Sequence, residues 1–210
     1  SEMILVPPLS SQKAIADTLS CLDAKIEMNN KINENLEAQA QAIFKSWFVD
    51  FEPFQDGEFV ESELGLIPEG WGVGLLGEFI ELSSGKRPEK KAEIASFETP
   101  IPILGASKIM GYTDSVLFDE PILVTGRVGT HGVIQRHDSK CWPSDNTLVM
   151  RASHYEFVYQ CLKRIDFASL NRGSTQPLIT QTDLNNQAIA APTACILRQF
   201  EHLASELMAL

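Results

Sequence analysis

A stretch of 38 residues without glycine or proline, from Ser10 to Trp47, most constrains how this chain can fold. Its apolar side chains recur at alternating intervals of four and three residues, which is the seam of a coiled coil. A helix of that length would measure about 57 Å, so a small domain could not cover it. The sequence predicts a paired helix whose seam consists of Ile15, Leu19, Leu22, Ile26, Asn29, Asn33, Leu36, Ile43 and Trp47.

The two asparagines within this seam have two interpretations. An Asn at a buried seam position fixes the register and the number of helices, at a cost in stability. Alternatively, the paired helices separate at Asn29 and Asn33, and both side chains are hydrated. We adopt the first interpretation, in which the asparagines set the register.

The C-terminal residues repeat the seam spacing over a shorter length. Ile196, Phe200, Leu203, Leu207 and Leu210 lie four or three residues apart, which predicts the start of a second coiled-coil helix, truncated within its pattern. The expected organisation is a coiled-coil helix at 1–50, an acidic, turn-rich and irregular linker at 51–66, a globular domain at 67–192 and the start of the second helix at 193–210.

The globular segment combines short strand-like runs with few helical signals. Apolar runs are separated by Gly and Pro and occur at 101–104, 122–125, 132–136 and 147–150. Ser153 and Glu156 have the spacing of a capping box, and an apolar helical face follows them. We therefore expect the α+β class, with a long N-terminal coiled-coil helix, a mixed α/β globular domain and a second helix that starts at the C-terminus.

Charge is distributed unevenly along the chain. The net charge of −11 argues at first against nucleic acid. Residues 1–82, however, carry 4 basic and 15 acidic groups, whereas residues 83–172 carry 12 basic and 10 acidic groups. The globular segment can therefore bind a polyanion, although its charge alone does not require this.

Three loop segments are candidates for contacts with nucleic acid: SGKRPEKK at 84–91, GRVGTHG at 126–132 and NRGSTQP at 171–177. Clustered Lys and Arg suit phosphates, and Asn, Gln and Arg can read base edges. Each segment has an ordinary alternative, as a solvated loop, a glycine turn between strands or a polar turn after a helix. The candidate DNA-binding residues are Lys86, Arg87, Lys90, Lys91, Arg127, Thr130, His131, Arg136, Asn146, Arg172, Ser174, Thr175 and Gln176.

Catalytic, cofactor and metal motifs are missing from the pattern. The four cysteines form no C-x-x-C pair and the four histidines are scattered, so we expect no metal and a reducing cytoplasm. No phosphate-binding loop, S-adenosylmethionine-type glycine loop or G-x-S-x-G elbow occurs, so we expect no cofactor and no enzymatic activity. Because the first residues lack a basic segment and a long apolar run, we expect no signal peptide, and no apolar run approaches the roughly 20 residues of a membrane span.

Several segments resemble type I restriction-modification specificity subunits. The stretch from Pro7 to Phe54, with NNKINENLE and FKSWFVDFEPF, is similar to the central conserved region of that family. IPEGW at 67–71 resembles the opening of its target recognition domain, and GSTQPLITQTDL is also typical of such domains. IAAPTACILRQFEHLASEL resembles the entry into the next conserved helix.

The resemblance implies a bacterial, cytoplasmic, non-catalytic DNA-binding protein. Such subunits carry two target recognition domains, each reading half of a bipartite site, separated by two antiparallel helices. The helices act as a ruler and dock modification subunits, which use S-adenosylmethionine to methylate adenine, while separate restriction subunits use ATP and cut. With one such domain, this chain is expected to be a half-size or truncated form.

The expected partners are double-stranded DNA, modification (methyltransferase) and restriction subunits and, through the long helices, a second copy of the chain. An antiparallel pair would place two recognition domains at opposite ends of a rod. The competing arrangement is a monomer in which the short C-terminal helix folds back on the long helix and covers part of its seam. The alternative is a coiled-coil interaction module that binds no DNA.

Overall fold

The computed structural model describes residues 6–128, 132–170 and 178–209. Four α-helices are present among them: α1 (Leu9–Phe48), α2 (Tyr155–Arg164), α3 (Gln181–Asn185) and α4 (Ala194–Met208). The strands are β1 (Phe59–Ser62), β2 (Gly65–Pro68), β3 (Gly72–Leu75), β4 (Ile80–Ser84), β5 (Ile101–Leu104), β6 (Ile109–Thr113), β7 (Ile122–Gly126), β8 (Gln135–His137), β9 (Trp142–Pro143), β10 (Thr147–Ala152) and β11 (Ala188–Ala191). The predicted α+β class, with helices at both ends, is confirmed.

The long helix α1 begins directly after Pro8, which stands at its N-cap. It continues for 40 residues because no glycine or proline interrupts it. It ends where the backbone N–H groups of Val49 and Asp50 both donate to the Lys45 carbonyl and Phe51 takes a left-handed conformation. Among the described residues, no helix is both long and apolar enough to cross a membrane.

The segment predicted as an irregular linker contains a β-hairpin. Strands β1 and β2 pair antiparallel from Phe59 opposite Pro68 to Ser62 opposite Gly65. Gly65 has a φ of 93°, which its missing side chain allows. Most side chains of this segment face water, which is compatible with its acidic composition. Ile67, on the second strand of the hairpin, is buried in the core.

The central sheet is antiparallel, in the order β4-β10-β7-β8. The predicted strands at 122–125 and 147–150 lie within it, and the predicted strand at 101–104 is β5 of a second sheet, in the order β6-β5-β9. The predicted strand at 132–136 starts late, at Gln135. Gly132 has a φ of 82°, which belongs to a turn rather than a strand.

Each face of the central sheet covers a different core. Leu123, Leu148 and Met150 pack against the helices, whereas Val124 and Val149 face the second sheet. Side chains alternate across a strand, so both faces of these strands are apolar when both are covered. The globular domain therefore has a helical layer, a central sheet and a smaller outer sheet.

Aromatic side chains join α1 to this domain. The rings of Phe48 and Phe200 are 5.0 Å apart, and the ring of Phe157 lies 5.1 Å from Phe48. Trp71 completes the contact at 5.7 Å from Phe48. Such clusters combine large apolar burial with edge-to-face attraction, so the aromatic run at the end of α1 holds α2 and α4 together.

The predicted capping box at the start of α2 is wrong. His154 occupies the N-cap and makes no side-chain cap bond. The backbone N–H groups of Glu156 and Phe157 instead donate to the carboxylate of Glu201 on α4, at 2.9 and 3.2 Å. A carboxylate there satisfies free donors and complements the helix dipole. The Glu156 side chain is consequently available for a different bond.

Candidate nucleic-acid interface

Four strand ends meet at one edge of the central sheet. Because β4 and β7 run opposite to β10 and β8, the residues after Ser84 and Gly126 emerge beside those before Thr147 and Gln135. Loops at one end of a rigid sheet are a common position for binding residues. We call the described residues 85–87, 105–108, 127–128, 132–134 and 144–146 the loop edge.

Backbone hydrogen bonds fix candidate residues to this edge. The N–H of Lys86 donates to the Pro143 carbonyl at 2.9 Å, and the N–H of Arg127 donates to the Asn146 carbonyl at 2.8 Å. The side chains of Lys86, Arg87 and Asn146 are exposed, and that of Arg127 is half-buried. Three separate segments of the sequence thus bring the cations of two loops and the amide of a third to one surface.

Gly85 allows the close approach of two of these loops. A Cβ at this position would lie 2.2 Å from the Ser144 carbonyl oxygen and 2.5 Å from that of Pro143. The backbone N–H of Gly85 also donates to the Thr147 carbonyl. The glycine in SGKRP therefore serves packing between backbones, and it places the adjacent basic residues beside the turn that holds Asn146.

The turn at 105–108 was missed as a candidate from the sequence. It joins β5 to β6, and the N–H of Ser144 donates to the Leu104 carbonyl at 2.9 Å. The Gln135 side-chain amide donates to the Gly105 carbonyl at 2.7 Å. Exposed Lys108 thereby joins the loop edge. The only sequence signal was a glycine after a strand-like run, because the neighbours of the turn are set by sheet order.

The second half of the basic loop lies elsewhere. The Lys90 amine is 3.6 Å from the Asp114 carboxylate. Ala92 pairs with Tyr112, on the outer strand of the second sheet. The chain therefore leaves the loop edge between Arg87 and Ala92, and the structure does not gather Lys90 and Lys91 with the other candidates, although both are exposed.

Arg136 is held in the helical layer rather than on the loop edge. Its guanidinium forms an ion pair with Glu156 and lies 5.2 and 4.8 Å from the ring centroids of Tyr155 and Tyr159. Burial raises the pKa of Glu156, and the charge of Arg136 offsets part of that rise. Burial also raises the pKa of Tyr155 to about 12. The charge of Arg136 is thus used within the domain.

The remaining candidate positions lie outside the described residues. Their flanks, however, reach the loop edge: Val128 pairs with Leu178, and the Ile179 N–H donates to the Arg127 carbonyl at 3.1 Å. The chain therefore returns to this edge directly after NRGSTQP. The positions not described are Thr130, His131, Arg172, Ser174, Thr175 and Gln176.

No metal site is found within the described ranges 6–128, 132–170 and 178–209, where no three His, Cys, Asp or Glu residues group together to hold an ion. Buried Cys141 has a pKa raised to about 11 by its burial, so its thiol stays protonated at neutral pH.

The helical seam divides into an exposed and a covered part. Ile15, Leu19, Leu22 and Ile26 are each more than half exposed, and Asn29 and Asn33 are exposed with them. The later seam positions Leu36, Ile43 and Trp47 are half-buried. This is because α4 packs on the last third of α1, where Ala40, Phe44 and Phe48 are buried.

Comparison with known proteins gives consistent relatives. The type I restriction enzyme MjaIX specificity subunit of Methanocaldococcus jannaschii is 29% identical over 232 residues, covering 96% of this chain and 52% of that protein. The HindI specificity subunit of Haemophilus influenzae is 40% identical over 90 residues, covering 40% of this chain and 17% of its own length. The chain spans about half the length of the first relative.

Solved structures share the fold. The S subunit of a type I restriction-modification system from M. genitalium superposes with a TM-score of 0.64 at 16% identity, covering 95% of this chain and 54% of that one. The HsdS subunit from Thermoanaerobacter tengcongensis gives 0.51 at 14% identity, with 97% and 52% covered. The family described as the type I restriction modification DNA specificity domain matches residues 1–38 and 68–201. The chain belongs to that family.

Proposed function

We propose that this chain is a sequence-specific DNA-recognition subunit of a type I restriction-modification system and performs no chemistry itself. The observation that carries the proposal is the convergence of Lys86, Arg87, Lys108, Arg127 and Asn146 on the loop edge. Cations there would contact phosphates and set the register, while amide and guanidinium groups would read base edges. One such domain covers one half-site.

The helices supply the assembly part of the proposal. The relatives are specificity subunits of type I restriction enzymes. By analogy, this chain would dock methyltransferase subunits, and through them restriction subunits, along α1 and α4. A coiled-coil interaction module that binds no DNA, the alternative left by the sequence, has no support among the relatives. The expected location is the cytoplasm, where the DNA and the partner subunits are.

A second copy of the chain is the proposed partner for the exposed part of α1. Four seam residues between Ile15 and Ile26 leave an apolar stripe in water, which is costly unless a partner covers it. Two α1 helices packed antiparallel about a two-fold axis would cover both stripes. The two loop edges would then read identical, inverted half-sites.

DNA binding is tested by substitution at the loop edge. The double variant Lys86→Ala/Arg87→Ala should weaken binding to duplex DNA. It should also reduce the slope of log affinity against log salt by about one for each phosphate that is no longer neutralised. Binding is measured by fluorescence anisotropy between about 50 and 200 mM salt, a range over which affinity falls roughly 10³-fold for proteins that neutralise several phosphates.

Lys140→Ala is the matched control, because Lys140 is exposed, pairs with Asp119 at 3.7 Å and lies in the connection between β8 and β9, which is not part of the loop edge. Its affinity and salt slope should match those of the original chain. A salt slope unchanged in the double variant would remove this loop from the interface. Absence of any binding to duplex DNA by the folded chain would favour the interaction module.

A further inference from the structure

We propose that Met110 reads the C5 methyl group of a thymine in the major groove of the half-site. This inference rests on the proposed function and identifies one base that the site contains. Met110 is 44% exposed, although its side chain is apolar and stands next to the basic and amide groups of the loop edge. An exposed apolar group among polar ones gains by covering a matching apolar group of a ligand.

The Met110 side chain packs against the backbone of the turn at 105–108. A Cβ built on Gly105 would lie only 2.5 Å from both Cγ and Sδ of Met110, so the thioether lies directly on the bare backbone of that glycine. The Gly105 N–H donates to the Lys108 carbonyl at 2.8 Å and closes the turn beneath it. The Gln135 side-chain amide donates to the Gly105 carbonyl, so both backbone polar groups of this glycine are held.

The neighbours of Met110 fit the pattern around a thymine. In the major groove the methyl group of thymine is the apolar feature of its base pair, and the paired adenine presents a donor and an acceptor beside it. The half-buried Gln135 amide donates to the Gly105 carbonyl and so places a polar side chain beside Met110, and exposed Lys108 would supply a charge for the adjacent phosphate. An apolar contact flanked by an amide and a cation matches that edge of the groove.

Phe97, the most exposed of the large apolar side chains described, lies too far from the loop edge for this role. Phe97 is fully exposed at the tip of the turn from Ser96 to Thr99. That turn precedes Ile101, at the start of β5, whereas the loop edge begins after Leu104, at the end of the same strand. Phe97 is thus at the other end of β5, away from the groups that would contact DNA.

The test is a uracil substitution scan. The full chain selects duplexes from a randomised library, and each thymine of the enriched sequence is then replaced singly by uracil, which lacks the methyl group. At one position uracil should weaken binding about fourfold, the effect of removing one buried methyl-sized group. Met110→Ala should bind the thymine duplex more weakly by a similar factor and should lose the discrimination at that position.

Two further variants keep the result interpretable. Met110→Gln preserves length with a polar end and should also lose the discrimination, and thermal unfolding shows that each variant is folded. Ile109→Ala removes the neighbouring exposed apolar side chain and should keep the fourfold preference.

The outcomes separate the inference from the proposed function. If the library yields no enriched duplex, the proposed function itself fails. If a sequence is enriched but contains no thymine, or if Met110→Ala keeps the original preference at every thymine, DNA recognition stands and the role of Met110 is overturned.

Discussion

Arg136 and Glu156 bring opposite charges into a layer that is otherwise largely aromatic. The side chain of Glu156 is 6% exposed and that of Arg136 is 24% exposed, and two tyrosine rings flank the guanidinium. Taking such charges out of water is costly, so each depends on its partner. From the sequence, Arg136 was expected to contact DNA. Its pairing with Glu156 could not be foreseen, because the two residues lie 20 positions apart along the chain.

Replacing Arg136 with Met should destabilise the domain in a pH-dependent way. The buried Glu156 carboxylate would lose its compensating charge, and its pKa, already raised by burial, would rise further. Below the ordinary glutamate pKa of about 4.3, Glu156 is protonated in both the folded and the unfolded chain, and its burial carries no charge penalty. As the pH rises through the raised folded-state pKa, the carboxyl group becomes charged in the folded chain and this relative stabilisation is lost. We expect a loss of about 3–5 kcal/mol at pH 7 and a smaller loss near pH 4, measured by urea unfolding.

The double variant Arg136→Met/Glu156→Gln is the control for this prediction. It removes both charges, so most of the loss at pH 7 should be recovered and the pH dependence should flatten. Equal destabilisation of the single variant at both pH values would contradict a role for the Glu156 charge.

At the scale of elements, α4 caps the start of α2 through Glu201. Two backbone N–H groups of α2 donate to this one carboxylate, and the helices are adjacent because Phe157 and Phe200 both pack on α1. The cap therefore couples local helix stability to the packing of the C-terminal helix.

Glu201→Ala should destabilise the domain by about 1–2 kcal/mol, the usual cost of losing an N-terminal cap. The measurement is thermal or urea unfolding followed by tryptophan fluorescence. Glu206→Ala is the matched control on the same helix, because its exposed carboxylate pairs only with His202 at 3.6 Å among the pairs described. It should change stability by less than about 0.5 kcal/mol. Similar losses in the two variants would exclude the cap as the cause.

Long periodic elements were predictable from the sequence, whereas pairings between distant elements were not. The uninterrupted seam predicted α1, and apolar runs between glycines and prolines predicted β5, β7 and β10. Ser153 and Glu156 matched a capping box locally, but the distant carboxylate of Glu201 took that role. The turn at 105–108 was missed because the order of the strands places it beside Gln135. The spacing of residues along the sequence does not reveal that order.

At the scale of the whole molecule, α1 extends well beyond the domain to which it is attached. Every described residue of α1 before Leu36 is exposed, and α4 covers only the part that follows. Residues 9–35 would form a rod of about 40 Å at 1.5 Å per residue. Substitutions in this rod should therefore change self-association without changing the stability of the globular domain.

Substituting the exposed seam should dissolve the proposed dimer without unfolding the domain. Leu19→Glu/Leu22→Glu places two charges where the antiparallel helices would meet, and both leucines are exposed in the single chain. Sedimentation equilibrium should show a dimer for the original chain and a monomer for the variant, with the same unfolding transition for the globular domain.

Ala24→Glu/Ala38→Glu is the control, because these exposed positions lie on the opposite face of α1 in the heptad pattern. It adds the same charge and should remain dimeric. A monomer for the original chain at high micromolar concentration would exclude self-association through α1.

The loop edge also determines which mutations this protein can accumulate. Side chains such as Lys86, Lys108 and Asn146 are exposed, so exchanging them leaves the apolar layers behind them intact. Gly85 is different, since a Cβ there would lie 2.2 Å from the backbone carbonyl oxygen of Ser144 and 2.5 Å from that of Pro143. If the loop edge reads DNA as proposed, the chain can acquire new binding preferences over evolutionary time by changing the exposed side chains beside this glycine, while Gly85 and the strand ends keep the loops in place.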